Sequence, residues 1–181
     1  MPGRAAFDRS LARVTASAAL LLALAATGCA AQRGEGPLDV ALGLSRSETA
    51  RALRHHDFCP RLEAATEEEV YPRCDRPGAG FGAAWVVARY DGGRLVRLQR
   101  FERWTDEARA AERWNLLIEK RAARTPVSQE ARARLLARQP IPDGTRSWAA
   151  FRAGDDLVGV YLLRPATADG PSILEEILPA R

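Results

Sequence analysis

The chain has 181 residues, of which 46% are hydrophobic and 28% charged, with a formal net charge of +4. This length allows one globular domain with a hydrophobic core. Residues 1–28 contain three of the 27 basic and one of the 23 acidic residues, so the rest of the chain carries 24 − 22 = +2. No dense basic stripe remains in it, and a nucleic-acid-binding protein is therefore disfavoured.

The first 29 residues have the layout of an export signal. Three arginines, Arg4, Arg9 and Arg13, precede an uncharged stretch that runs from Val14 to Cys29. A basic start, a short apolar core and small residues at the cleavage point are the parts of a secretory signal peptide. The apolar core has only about 13 residues, whereas a membrane-spanning helix needs about 20. We therefore predict a cleaved leader over residues 1–28.

The end of this leader, Ala26-Thr27-Gly28-Cys29, resembles the lipobox of bacterial lipoproteins. The resemblance implies cleavage before Cys29, a diacylglyceryl group on its thiol and a fatty acyl chain such as palmitate on the new amino terminus. Two or more chains give a stable anchor in membrane lipid, which one chain does not. Ala30, rather than Asp, follows the cysteine, and in this class that implies the periplasmic face of the outer membrane. An ordinary secretory signal cut near Ala30 is the alternative.

Cys59 and Cys74 are the two cysteines that remain once Cys29 is lipidated. An even pair in an exported protein predicts a disulfide. The bridge would close a loop of about 15 residues and add about 3 kcal/mol in the chain-entropy model. Because the pair lacks the Cys-x-x-Cys spacing of redox-active thiols, we predict a structural bridge.

Residues 29–38 are predicted to be the lipidated cysteine and a polar tether, and residues 39–181 a single domain. Glycine and proline in the tether argue against regular structure. The domain opens with a helix from Ser45, which can form a capping box with Glu48, to about residue 57.

The opening of this helix carries a second resemblance. Gly43-Leu44-Ser45, followed by Thr49-Ala50 and Leu53, is similar to the start of small outer-membrane-assembly lipoproteins with a β-lactamase-inhibitor-like fold. In that family a Gly-apolar-Ser/Thr step begins a helix and strands follow it. The resemblance implies a role in the outer membrane and covers about a dozen residues.

Two β-hairpins are predicted further along the chain. The first covers residues 85–104 with its turn at residues 91–93, and the second covers residues 148–163 with its turn at residues 154–156. In the first hairpin, either both faces are partly covered or a bulge lies near Gln99. Residues 70–73 add a short strand, which Pro72 would confine to an edge.

Three further helices are predicted. Thr105 caps a long one that ends before Pro126, and Ser128 starts another that runs to about residue 138. Ser172 and Glu175 form a second capping box, which predicts a last short helix. Its buried side would consist of Ile173, Leu174, Ile177 and Leu178. Together these elements predict an α+β fold: an antiparallel sheet built from two β-hairpins, with helices packed on one face and one disulfide.

Trp104 and Arg103 are the candidate ligand-binding residues. Trp85, Trp114 and Trp148 lie on predicted apolar faces, where packing in the core is the usual role. Trp104 stands at a strand end beside Arg103, so we expect it to be exposed. A tryptophan stacked on a sugar ring with an arginine nearby would suit peptidoglycan or lipopolysaccharide.

The histidines and acids do not predict a catalytic set. Adjacent residues of a helix point about 100° apart, so His55 and His56 cannot easily share one metal ion, and we expect neither a metal nor a cofactor. The nucleophile motif Gly-x-Ser-x-Gly does not occur. The sequence favours a non-enzymatic, lipid-anchored envelope protein that binds another envelope protein or a glycan. A periplasmic glycan- or small-ligand-binding module is the alternative.

Overall fold

The computed structural model describes residues 36–61, 67–75, 83–122, 128–164 and 170–180. They form an α+β fold of three helices and one six-stranded antiparallel sheet. The elements in chain order are α1 (Arg46–Arg54), β1 (Glu68–Pro72), β2 (Ala84–Asp91), β3 (Arg94–Arg103), α2 (Glu107–Ala122), α3 (Gln129–Leu136), β4 (Thr145–Ala153), β5 (Asp156–Leu163) and β6 (Ser172–Pro179).

The sheet consists of two three-stranded meanders that meet in the middle. Its strand order is β1-β2-β3-β6-β5-β4, and every neighbouring pair is antiparallel. The two predicted hairpins are β2–β3 and β4–β5. The sheet is larger than two hairpins, because β1 extends one side and β6 joins the hairpins at the centre.

Both faces of the sheet carry apolar side chains. The face that α1 and α2 cover is called the inner face. There Leu53, Ala110 and Leu117 join the core. Its central side chains are Val86, Leu98, Val158, Val160, Ile173 and Ile177. Since side chains alternate along a strand, their neighbours form the opposite surface, which we call the outer face. It includes Trp85, Phe101, Ala150, Tyr161 and Leu174.

The third helix lies on the outer face. The guanidinium of Arg132, in α3, stands 5.3 Å from the ring centre of Trp148, and Gln139, just beyond α3, donates a hydrogen bond to Glu176. Trp148 and Glu176 both belong to the outer face by their register in the sheet. The expectation that the helices share one face therefore holds for α1 and α2 but not for α3.

The predicted last helix is wrong, because residues 172–179 form β6. The apolar positions 173, 174, 177 and 178 fit a helical stripe, but they also fit a strand whose two faces are both covered. Ser172 and Glu175, which suggested a capping box, instead pair with Leu163 and Val160 of β5. Central position in the sheet overrides the local helix-start signal.

Two local predictions are confirmed and one is refined. Ser45 caps α1 in a capping box with Glu48, and Ser128 caps α3 through the amide of Ala131. The bulge of the first hairpin lies at Val96, because Arg89 pairs with Arg97 while Tyr90 already pairs with Leu95. Because of this extra residue, Leu95 and Leu98 lie on the same face of β3 and both join the core.

The cap of α2 differs from the prediction. Asp106, rather than Thr105, supplies the side-chain acceptor, at 2.8 Å from the amide nitrogen of Arg109. A carboxylate at this position also complements the positive end of the helix dipole.

Gly144 and Gly93 provide a matched pair for a stability measurement. Both have left-handed backbones, with φ of 76° and 75°. A Cβ at Gly144 would stand 2.8 Å from the carbonyl oxygen of Arg164, whereas one at Gly93 would meet no atom within 4 Å. We expect Gly93→Ala to cost about 1–2 kcal/mol of unfolding free energy, and Gly144→Ala to cost roughly 1–3 kcal/mol more. Urea unfolding of both variants checks this, and equal losses would contradict the close contact.

Candidate functional site

The last residues of the predicted tether, 36–38, are fixed to the inner face by a buried glutamate. Glu175 lies in β6, and its side chain has no solvent exposure. The amide nitrogen of Leu38 lies 3.1 Å from one Glu175 carboxylate oxygen, and Arg121 of α2 donates to the other at 2.5 Å. Arg121 also donates to the carbonyl oxygen of Leu38 at 2.6 Å. Leu38 is fully buried, so residues 36–38 belong to the folded domain.

Arg100, which lies in β3, is a further member of this cluster. Only 1% of its side chain is exposed, and its Nη1 donates to the carbonyl oxygen of Gly36 at 2.7 Å. Its Nη2 lies 2.8 Å from Glu175 and its Nε 3.3 Å from Glu102, but neither forms a well-directed hydrogen bond. These contacts are therefore ion pairs in which charge, rather than alignment, supplies the attraction.

Glu102 is held ionised at the edge of the same cluster. Burial alone would raise its pKa, but hydrogen bonds from Arg113 of α2, at 2.7 and 2.9 Å, and the nearby Arg100 keep the pKa of Glu102 below its ordinary value. A buried acid needs such partners to stay charged. The cluster thus joins α2, β3 and β6 to the amino-terminal segment.

His56 lies beside this cluster and His55 does not. Burial lowers the pKa of His56, and the positive charge of Arg100 lowers it further. His55 is exposed at the end of α1. The two imidazoles therefore have different environments although they are adjacent in the sequence.

The lowered pKa of His56 predicts a loss of stability in acid. The unfolded chain, with an ordinary histidine pKa near 6.5, binds a proton where the folded protein does not. Stability is therefore fully present above this pH and falls as the pH drops below it. We expect His56→Gln to flatten this fall and His55→Gln to leave it unchanged. Urea unfolding at pH 7.5, 6 and 5 checks this, and parallel curves for wild type and His56→Gln would contradict it.

The outer face carries a second buried glutamate. Glu176 is 2% exposed and accepts hydrogen bonds from Arg97, Gln99 and Gln139. Burial, reinforced by the negative charge of Glu176, raises the pKa of the neighbouring Tyr161 to about 12. β6 thus presents one acid to each face, and each acid holds a segment from outside the sheet.

The two edges of the sheet differ. β1 has five residues, contains Pro72 and begins with two glutamates, which are features that protect an edge from pairing. β4 has nine residues and contains neither proline nor an acid. It carries two arginines, has an irregularity between Thr145 and Ser147, and pairs on one side with β5. No second strand pairs with β4 within the described ranges.

A shallow groove of about 420 Å³ lies between α3 and the end of the sheet near β4. Three arginines line it, Arg134 and Arg138 from the α3 side and Arg152 from β4, together with Glu130. Ala131 and Leu135 supply apolar surface. The lining carries 3 − 1 = +2 charges. A carboxylate or phosphate is the group that such a groove can bind, because guanidinium groups match both bidentately.

The structure separates the predicted ligand pair. Trp104 is half-buried and packs against the inner-face core, while the guanidinium of Arg103 lies 5.0 Å from the Trp85 ring on the outer face. The expectation of an exposed Trp104 is therefore corrected, because its side chain packs against the edge of the core. Trp104 and Arg103 point to opposite faces because successive side chains of an extended chain alternate.

The disulfide prediction is confirmed, since Cys59 and Cys74 are bonded. Cys29 and the signal peptide lie outside the described residues, so lipidation stays a prediction.

Within the described part of the chain, no three His, Cys, Asp or Glu side chains gather as metal ligands. No described helix combines the length and apolar character needed to cross a bilayer.

Sequence reasoning missed the two glutamates of β6 and the arginine-lined groove. The available signal was two adjacent acids inside an apolar run, Ile-Leu-Glu-Glu-Ile-Leu. Charged residues at central strand positions are rarely buried without partners.

Comparisons with protein-family models, with curated proteins and with solved structures find no match for this chain.

Proposed function

We propose that this protein is a lipid-anchored bacterial envelope protein, a non-enzymatic partner-binding module whose contact surface includes the β4 edge. The observation that carries the binding role is the asymmetry of the sheet edges. Beyond the irregularity at its start, residues 147–153 of β4 form a regular strand without proline or acidic residues, and an edge of this kind can pair with another chain. The export signal, the lipobox resemblance and the disulfide support a place outside the cytosol.

The buried Glu175 cluster supports close attachment to the membrane. Seven peptide steps separate Cys29 from Gly36, the first described residue, whose carbonyl oxygen accepts from Arg100. Fully extended, such a connection reaches at most about 25 Å. An anchor at Cys29 would therefore keep the domain near the bilayer, so that its partner must be within the same narrow layer of the envelope.

Metabolic labelling with an alkyne fatty acid tests the anchor. We expect label on the wild type and on Cys59→Ser/Cys74→Ser, and none on Cys29→Ser. Label that persists in Cys29→Ser would contradict the lipid anchor.

Site-specific photocrosslinking in intact cells tests the binding role. A photoreactive residue at Ser147, in β4, is expected to capture one discrete product that the same residue at Glu119, on the exposed side of α2, does not capture. Absence of a product from Ser147, or the same products from both positions, would exclude β4 as the contact surface.

A further inference from the structure

We propose that the groove beside α3 selects the partner: it accepts acidic side chains of an extended protein segment that pairs with β4. This inference rests on the proposed partner-binding role and adds the chemistry of the partner. Its first support is the charge of the groove, where Arg134, Arg138 and Arg152 face a single lining acid, Glu130.

The existing ion pairs leave this charge largely available. Arg134 pairs with Glu130, but both side chains are more than 70% exposed, at 78% and 75%. Arg152 lies 3.9 Å from Asp155, whose side chain is 84% exposed. Arg138 forms no ion pair with the residues that the structure describes. Exposed pairs of this kind are weak, so an incoming carboxylate can compete for the guanidinium groups.

The second support is the position of the groove relative to the edge strand. Arg152 belongs to β4 and lies on the outer face with Trp148, whose carbonyl oxygen is 3.4 Å from Arg132 of α3. A strand added to β4 would direct every second side chain toward this face. Acidic residues at those alternate positions would lie beside the arginines, while the backbone pairs with β4.

The third support is the apolar part of the groove. Ala131 and Leu135 line it, and both side chains remain partly exposed because α3 has no fully buried residue. An amphipathic segment with acidic and small apolar side chains fits this mixture better than a compact inorganic anion does.

The location favours a protein segment over a lipid headgroup. Gly36 and Leu38, the described residues nearest to the proposed anchor, contact the inner face, whereas the groove lies on the outer face. Ala180, which lines the groove, is five residues beyond Glu175 along the chain of β6, or about 16 Å. The groove is thus displaced from the point where the anchored segment enters the domain.

Binding of a labelled hexaglutamate peptide to the full-length protein in detergent micelles tests the proposal. We expect saturable binding that weakens with salt, and a loss of at least about fivefold in Arg138→Gln/Arg152→Gln, because each arginine provides a charge-assisted contact. The control Arg54→Gln/Arg109→Gln removes the same charge from exposed positions outside the groove and should bind as the wild type does.

The proposal would be overturned by no binding of hexaglutamate, by an equal loss in both double variants, or by displacement of the peptide when phosphatidylglycerol is added to the micelles. The last result would assign the groove to a lipid headgroup. If crosslinking at Ser147 captures a partner equally well in Arg138→Gln/Arg152→Gln, the groove inference fails while the proposed function stands. If Ser147 captures nothing, the proposed function fails.

Discussion

Replacing Glu175 by alanine is expected to lower the free energy of unfolding by about 3–5 kcal/mol, because two buried arginines would lose their shared counter-ion. Arg100 and Arg121 have side-chain exposures of only 1% and 6%. Each would retain a backbone carbonyl acceptor, on Gly36 and Leu38 respectively, and one more distant acid, Glu102 at 3.3 Å and Asp39 at 3.6 Å. Glu102 is already bound by Arg113, and the Asp39 side chain is 45% exposed, so neither acid replaces the buried counter-ion. Urea unfolding of the purified protein measures the loss.

Two further variants separate charge from shape. Glu175→Gln keeps the size of the side chain and one acceptor oxygen, so we expect a smaller loss than for alanine. Glu119→Ala removes an exposed acid of α2 and should change stability by less than about 0.5 kcal/mol. A Glu175→Ala protein within 1 kcal/mol of the wild type, on the scale of an ordinary surface substitution, would show that the cluster does not stabilise the fold.

The same substitution should also release the amino-terminal segment. Leu38 is held through its amide on Glu175 and its carbonyl on Arg121. Hydrogen exchange at Leu38 should therefore become faster in Glu175→Ala relative to the amides in the centre of β5, which report on global opening. Equal acceleration at both places would mean that the variant only lowers global stability.

Removing the disulfide with Cys59→Ser/Cys74→Ser is expected to cost about 3 kcal/mol, since the unfolded chain gains the freedom of a loop of about 15 residues. The bridge joins the end of α1 to the end of β1, and the amides of Cys59 and Cys74 donate to Pro72 and Asp57 across the same junction. These hydrogen bonds keep the junction formed in the folded variant, so most of the cost should come from the unfolded chain.

A reducing agent supplies the control for this prediction. Dithiothreitol should lower the stability of the wild type toward that of Cys59→Ser/Cys74→Ser and should leave the double variant unchanged. If the reduced wild type and the variant were both as stable as the oxidised wild type, the bridge would have no stabilising role. Their comparison by urea unfolding decides between these results.

Local signals predicted the elements whose boundaries depend on local chemistry. Ser45 with Glu48 and the turn at Asp91-Gly92-Gly93 act through residues three or four positions apart, so their effect can be read along the chain. The cysteine pair was also predictable, because Cys29, set aside as the predicted lipidation site, leaves one possible pairing among the three cysteines. The last segment was not, since its apolar positions fit both a helix and a doubly covered strand.

The candidate site depended on contacts between distant residues. Arg121 and Glu175 are 54 residues apart, and Leu38 and Glu175 are 137 apart. Nothing in their local sequence indicates that they meet. Trp104 and Arg103 are adjacent in the sequence but contact different neighbours, because distant elements of the chain pack against each face of the sheet.

The amino-acid sequence by itself determined the cysteine pair, the strands β2 to β5 and the capped starts of α1 and α3, all of which follow from composition or short-range spacing. Only the tertiary structure decided that residues 172–179 form the central strand, that this strand buries one glutamate on each face, and that α3 and β4 bring three arginines to one groove. The physical reason is that burial and ion pairing are set by whichever segments pack together, and the sheet order places the last strand, β6, between β3 and β5.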